Sequence, residues 1–146
     1  MSNFAKTFAL ASFILSSAPA MAGEKDVTLY KDPYCGCCTG HADYLKENGF
    51  NVTVKPTDDV AEMSRKAGIP EGAEGCHIAF IDGYFVSGHV PVGAINKLLT
   101  ERPDIKGITL PGMPAGSPGM GGTKEAPFEV MEIRKPGELG GVYAKE

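Results

Sequence analysis

The chain has 146 residues, 42% of them apolar, and sets 14 basic residues against 18 acidic ones for a formal charge of −4. That length supports one domain with its own core. The mildly acidic balance, with no basic run anywhere, excludes electrostatic binding to nucleic acid or to an anionic membrane surface.

Residues 1–22 carry a single charge at Lys6, an apolar run from Phe8 to Leu15 and a small-x-small end at Ala20-Met21-Ala22. The run is too short to span a bilayer, and the pattern predicts a secretory signal peptide cleaved before Gly23. Cleavage leaves 124 residues and, with Lys6 gone, a formal charge of −5. The mature chain is expected in an exported, oxidising compartment, with no membrane segment, where thiols are driven toward disulfide.

Val27-Thr28-Leu29-Tyr30 is a β-prone run, and Asp32-Pro33-Tyr34 turns the chain into Cys35-Gly36-Cys37-Cys38. Thr39 to Asn48 places Ala42, Tyr44 and Leu45 at helical spacing and is closed by Gly49. A second strand is predicted from Asn51 to Lys55. Asp58 to Ala67 reads as a helix with Asp58 or Asp59 as its N-cap and Gly68 as its stop. Two apolar runs follow, Cys76–Ile81 and Tyr84–His89, joined by Asp82-Gly83, a pair that favours a two-residue type I′ turn. The register set by that turn pairs Ile81 with Tyr84, Phe80 with Phe85 and, at the far end, Cys76 with His89. Their Cβ atoms would then lie about 4.5–5.5 Å apart on one sheet face. Val92 to Glu101 carries Ile95, Leu98 and Leu99 at helical spacing behind Pro91.

Beyond Arg102 the composition changes. Pro111 to Gly122 is too rich in proline and glycine for regular structure and holds a short repeat, Pro111-Gly112-Met113 and Pro118-Gly119-Met120. Phe128–Arg134 and Gly141–Lys145 are expected to form a last hairpin around Lys135-Pro136-Gly137-Glu138. The domain organisation read from the chain is therefore a signal peptide over 1–22, a compact domain over 23–106 and, over 107–146, a C-terminal extension packed on that domain.

Three of the four cysteines fall within four residues, at the start of a helix whose positive end enriches the thiolate form. Cys35 and Cys38 have the spacing of a redox pair, which makes them the candidate catalytic thiols. Cys37 is surplus to disulfide exchange, and neighbouring Cys37 and Cys38 cannot bridge each other without a strained ring. A third sulfur at this spacing suits a soft ion that thiolates can bridge, which favours Cu(I) over harder cations. Zinc is the rival metal, but the four cysteines are not arranged as the two separated Cys-x2-Cys knuckles of a closed structural zinc site. Two ordinary secreted disulfides remain the bland alternative.

The order strand, cysteine loop, helix, strand, helix, strand, strand, helix resembles a thioredoxin-like domain: an α/β fold with a mixed sheet flanked by helices, here followed by a Gly/Pro/Met-rich C-terminal extension. A closer resemblance is carried by the signal peptide, Tyr30-Lys31-Asp32-Pro33-Tyr34-Cys35-Gly36-Cys37-Cys38, Gly75-Cys76-His77, Gly88-His89-Val90-Pro91, and the segment from Leu110 to Met120. Together these are similar to the CopG family of periplasmic copper-resistance proteins. The resemblance implies a cysteine-bridged cluster of several copper ions, an extension that helps to bind metal, and interconversion of Cu(I) and Cu(II) beside a periplasmic copper efflux system. The protein is expected to act as a monomer.

On this reading Cys35, Cys37, Cys38 and Cys76 are the bridging metal-ligand candidates. His89 is placed first among the histidines because its cross-strand partner is Cys76. His77 follows, since a regular strand turns it to the other face unless a bulge intervenes. His41, within a turn of Cys37 and Cys38, reads equally well as a solvated helix residue. Met113 and Met120 have few apolar neighbours, and thioether sulfur suits Cu(I), although each also reads as a peg fastening a loop. Three functions stay open: a copper oxidoreductase, a copper carrier or buffer without turnover, and a metal-free thiol-disulfide oxidoreductase in which Cys35 attacks and Cys38 resolves.

Overall fold

A computed structural model describes residues 25–146; the segment read as a signal peptide lies outside the described residues. The chain runs β1 (Asp26–Lys31), α1 (Gly36–Glu47), β2 (Asn51–Pro56), α2 (Val60–Ala67), β3 (His77–Ile81), β4 (Tyr84–Ser87), α3 (Val92–Glu101), β5 (Gly107–Thr109), β6 (Glu129–Lys135) and β7 (Glu138–Lys145). All seven strands join one mixed sheet in the order β2-β1-β3-β4-β5-β6-β7. β1 with β2 and β4 with β5 are parallel, each pair linked through a helix as parallel strands require.

Alternation along the strands divides the core between two faces. Leu29, Ala79 and Val86 meet Ala42 and Leu45 of α1 and Ile95 and Leu98 of α3 on one side. Ile78, Phe85 and Ile133 meet Ile69 and the flank of α2 on the other. Leu29, Leu45, Ile95, Leu98 and Ile108 are fully buried, and each contributes about 1.5–3 kcal/mol through the water it excludes. Among the described residues no helix is long and apolar enough to cross a membrane.

Asp82 and Gly83 both take positive φ, 47° and 85°, as a type I′ turn demands. The resulting register pairs Ile81 with Tyr84 and Ile78 with Ser87, the alignment read from the sequence. Gly68, at φ 90°, stops α2 in the expected place.

Two expectations are corrected. The cysteines do not lie in a loop before the helix: α1 starts at Gly36, three residues early, and Cys35 is its N-cap. Gly and Cys are poor helix formers, so the tertiary setting of the first turn overrides propensity there. Nor is the end of the chain a Gly/Pro/Met-rich C-terminal extension. β5, β6 and β7 complete the same sheet as the earlier strands, and the proline- and glycine-rich stretch is a loop between β5 and β6. β5 went unread because three residues, Gly107-Ile108-Thr109, are too few to show a period, although Ile108 and Thr109 are fully buried.

Candidate metal centre

The topology carries the tips of β1 and β3 to one place. β3 runs antiparallel to β1, with His77 opposite Lys31, so the start of β3 meets the end of β1 and the cysteine turn beyond it. That turn is fixed twice. The Asp32 side chain accepts the Tyr34 N–H at 2.8 Å and the Asp32 carbonyl accepts the Cys35 N–H at 3.1 Å. Lys31, 5% exposed, donates its ammonium to the carbonyls of Asp32 at 2.8 Å and Pro33 at 3.3 Å, tethering the loop from below.

Cys35 Sγ caps α1 by accepting the Cys38 N–H at 3.3 Å. Cys35 and Cys38 are joined as a disulfide, and Cys37 and Cys76 are free thiols. Cys76 Sγ lies 3.0 Å from Cys38 Sγ and 3.5 Å from Cys35 Sγ, while Cys37 Sγ is 3.4 Å from Cys35 Sγ. All four sulfurs fall within 4.8 Å of one another.

A second group shares Cys76. His89 Nε2 is 3.6 Å and His77 Nδ1 3.8 Å from Cys76 Sγ, and these three donor atoms also lie within 4.8 Å of one another. His77, the first residue of β3, reaches the same cluster as Cys76 rather than turning away, because Cys76 stands outside the regular strand. Both imidazoles are completely buried, and their outer nitrogens are tied to the protein. His89 Nδ1 meets the Pro118 carbonyl at 2.8 Å. His41 Nε2 meets the Val90 carbonyl at 3.0 Å, and His41 Nδ1 meets His77 Nε2 at 2.9 Å.

These partners dictate the tautomers. A carbonyl can only accept, so His41 carries its proton on Nε2 and leaves Nδ1 bare; His77 must then donate from Nε2, which bares its own Nδ1. By the same argument His89 is protonated on Nδ1 and bare on Nε2. Both bare nitrogens are the ones beside Cys76. His41, which the sequence reads equally as a ligand or a solvated helix residue, is fully buried and holds His77 in the donor tautomer, the arrangement by which outer partners orient metal-binding histidines.

Burial sets the charge states. It is the main cause holding His41 down at about 4, His77 well below the ordinary imidazole value, and His89 below it too. The same burial, reinforced by the neighbouring Cys37, pushes the Cys76 thiol up to about 11. The cluster thus favours neutral groups until a cation arrives to compensate the thiolates, which is how soft metal sites couple binding to proton release. The sulfurs and the two bare imidazole nitrogens form a donor set able to hold a soft or borderline metal ion.

The loop between β5 and β6 seals the other side. Gly119, at φ 82°, lies so close to α1 that a Cβ there would stand 2.4 Å from the His41 backbone nitrogen and 2.8 Å from the Cys37 carbonyl oxygen. Gly40 meets it from the helix, where a Cβ would stand 3.1 Å from the Gly119 carbonyl. This glycine contact lets the loop deliver the Pro118 carbonyl to His89. Of the two candidate methionines, Met120 is half-buried directly after that contact, whereas Met113 is 43% exposed. Cys35 and Cys76 are reached from solvent by a cleft of about 360 Å³ whose walls include Asp32, Asp58 and Glu74. Tyr34, beside Cys35, is 93% exposed and does not cover the sulfurs.

Residues 73–120, which include Cys76, His77, His89, Met113 and Met120, match a family model described as a protein of unknown function, DUF411. Two solved structures of a copper resistance protein CopG, forms 2 and 1, are each 38% identical to the chain. Form 2 superposes with a TM-score of 0.75 over 83% of this chain and 97% of that one; form 1 gives 0.74 over 83% and 96%. A membrane protein insertase YidC from Pseudomonas fluorescens is 34% identical over 83 residues, which is 52% of this chain but 15% of that protein. The chain spans so small a part of the insertase that insertase activity is not carried over to it.

Proposed function

This chain belongs to the CopG family of copper resistance proteins, and from that premise we propose that it is a periplasmic copper-binding protein that interconverts Cu(I) and Cu(II). The observation that carries this reading is the pair of donor groups that share Cys76, the four sulfurs on one side and two tautomer-fixed imidazoles on the other. Copper is the substrate. Cys35, Cys37, Cys38 and Cys76 bridge several ions in a thiolate cluster, His77 and His89 are terminal ligands, and Met120 and Met113 hand copper in or out from the loop. Soft sulfur with borderline nitrogen keeps both oxidation states within reach with little rearrangement.

The disulfide between Cys35 and Cys38 makes those two residues the redox-active pair: two electrons and two protons from a dithiol donor turn it into two thiols before the full cluster can fill. The fold is read as a thioredoxin-like core elaborated by β5–β7. The leader-like pattern of residues 1–22 supports export to the periplasm, and a copper efflux system is the proposed recipient. The mature protein works as a monomer.

The reading is tested by loading the fully reduced protein with Cu(I) and following its EPR spectrum through oxidation and re-reduction. The expected result is a Cu(II) signal that appears and disappears reversibly without loss of metal. A carrier would return only silent Cu(I). A metal-free disulfide exchanger would keep its activity when Cys37 is replaced by Ser, whereas a copper cluster loses bound copper in that variant.

A further inference from the structure

Cys76 belongs to two donor groups at once, the four sulfurs and the Cys76–His77–His89 triad, and they respond differently to oxidation. With Cys35 and Cys38 joined, two of the four cluster sulfurs are no longer thiolates, the form in which cysteine binds metal. The triad loses nothing, because none of its donors takes part in the disulfide and Cys76 is a free thiol.

Its dimensions are those of a metal site. A sulfur about 2.3 Å and a nitrogen about 2.0 Å from one ion, seen at about 120°, stand about 3.7 Å apart. The two S–N separations are 3.6 and 3.8 Å. Both nitrogens are bared by the chain's own hydrogen bonds, through His41 to the Val90 carbonyl and directly to the Pro118 carbonyl. A ligand set of two imidazoles and one thiolate in a trigonal array is the donor type of single-copper electron-transfer centres. The open cleft reaches Cys76 without displacing any strand.

We propose that the disulfide form holds one metal ion with Cys76, His77 and His89 alone, so that the state of the Cys35–Cys38 pair switches the protein between one-ion and several-ion capacity. The proposal rests on the copper reading above. Reduction by a dithiol donor breaks the Cys35–Cys38 bond and yields two thiols, the donor leaving as its own disulfide. Further ions then displace the protons of Cys35, Cys37 and Cys38, which pass to solvent. Cys76 is the shared ligand, so the first ion keeps its place as the cluster grows around it.

The test is titration of the full mature protein with Co(II), which is spectroscopically visible and does not oxidise thiols here, once without reductant and once after reduction. Without reductant, one Co(II) per chain is expected, with a thiolate-to-cobalt charge-transfer band. The band should persist in Cys37→Ser and in the Cys35→Ser/Cys38→Ser pair, vanish in Cys76→Ser, and weaken at least tenfold in affinity in His89→Ala. A site that fills only after reduction, or a band that survives Cys76→Ser, overturns the proposal. Copper loading of the reduced protein is measured separately, so loss of the one-ion site leaves the multi-copper reading standing, and loss of reduced-state copper binding leaves the one-ion result standing.

Discussion

Replacing Cys76 by Ser is expected to lower the affinity of the reduced protein for Cu(I) by at least about 100-fold, or about 2.7 kcal/mol. No other residue belongs to both donor groups, so its loss removes the sulfur that lies 3.0 and 3.5 Å from Cys38 and Cys35 and faces both imidazoles. The hydroxyl that replaces it is a hard donor with little affinity for Cu(I). Folding should be almost unaffected, because Cys76 is half-buried outside β3 and serine has nearly its shape; a change under about 1 kcal/mol is expected in denaturant unfolding. Competition against a Cu(I) chelator measures the affinity. Retention of full affinity in this variant would mean that Cys35, Cys37 and Cys38 bind copper without Cys76.

The second large effect lies at a residue that faces no sulfur. His41→Ala removes the acceptor of the His77 N–H and the donor to the Val90 carbonyl, both inside a fully buried cluster. Orphaned buried groups and the cavity together are expected to cost about 2–5 kcal/mol of folding stability. Without the acceptor, His77 is free to carry its proton on the nitrogen beside Cys76, and copper affinity is expected to fall about 10–100-fold. His41→Asn separates the two causes. Its side-chain oxygen occupies the place of Nδ1 and can accept from His77, so copper affinity should recover although part of the stability loss remains. If Asn binds copper no better than Ala, His41 is a packing residue and the tautomer argument fails.

Much of this site was legible in the chain because local rules met at one turn. Asp82-Gly83 fixed the register of β3 with β4, and extending that register past the last paired residues, Ile78 and Ser87, pointed to Cys76 and His89, whose side chains lie 3.6 Å apart. The crowding of Cys35, Cys37 and Cys38 at a helix start needed no tertiary knowledge. His41 was misjudged because its role depends on how α1 packs against β3, which helical spacing cannot convey. The Val90 and Pro118 carbonyls that fix the tautomers carry no side-chain signal at all. Likewise β5 is held by its neighbours, not by its own three residues, and the Gly/Pro/Met-rich loop took its position from Gly119 meeting Gly40. What the sequence lacked, in each case, was a contact between segments distant in the chain.

The most direct measurement is X-ray absorption at the copper edge on reduced, copper-saturated protein, recorded together with copper per chain. A mixed shell of sulfur and imidazole nitrogen, a copper–copper scattering path and more than one copper per chain are the results expected of sulfurs shared between ions. A single copper in a shell of nitrogen and oxygen, with no sulfur, would contradict it.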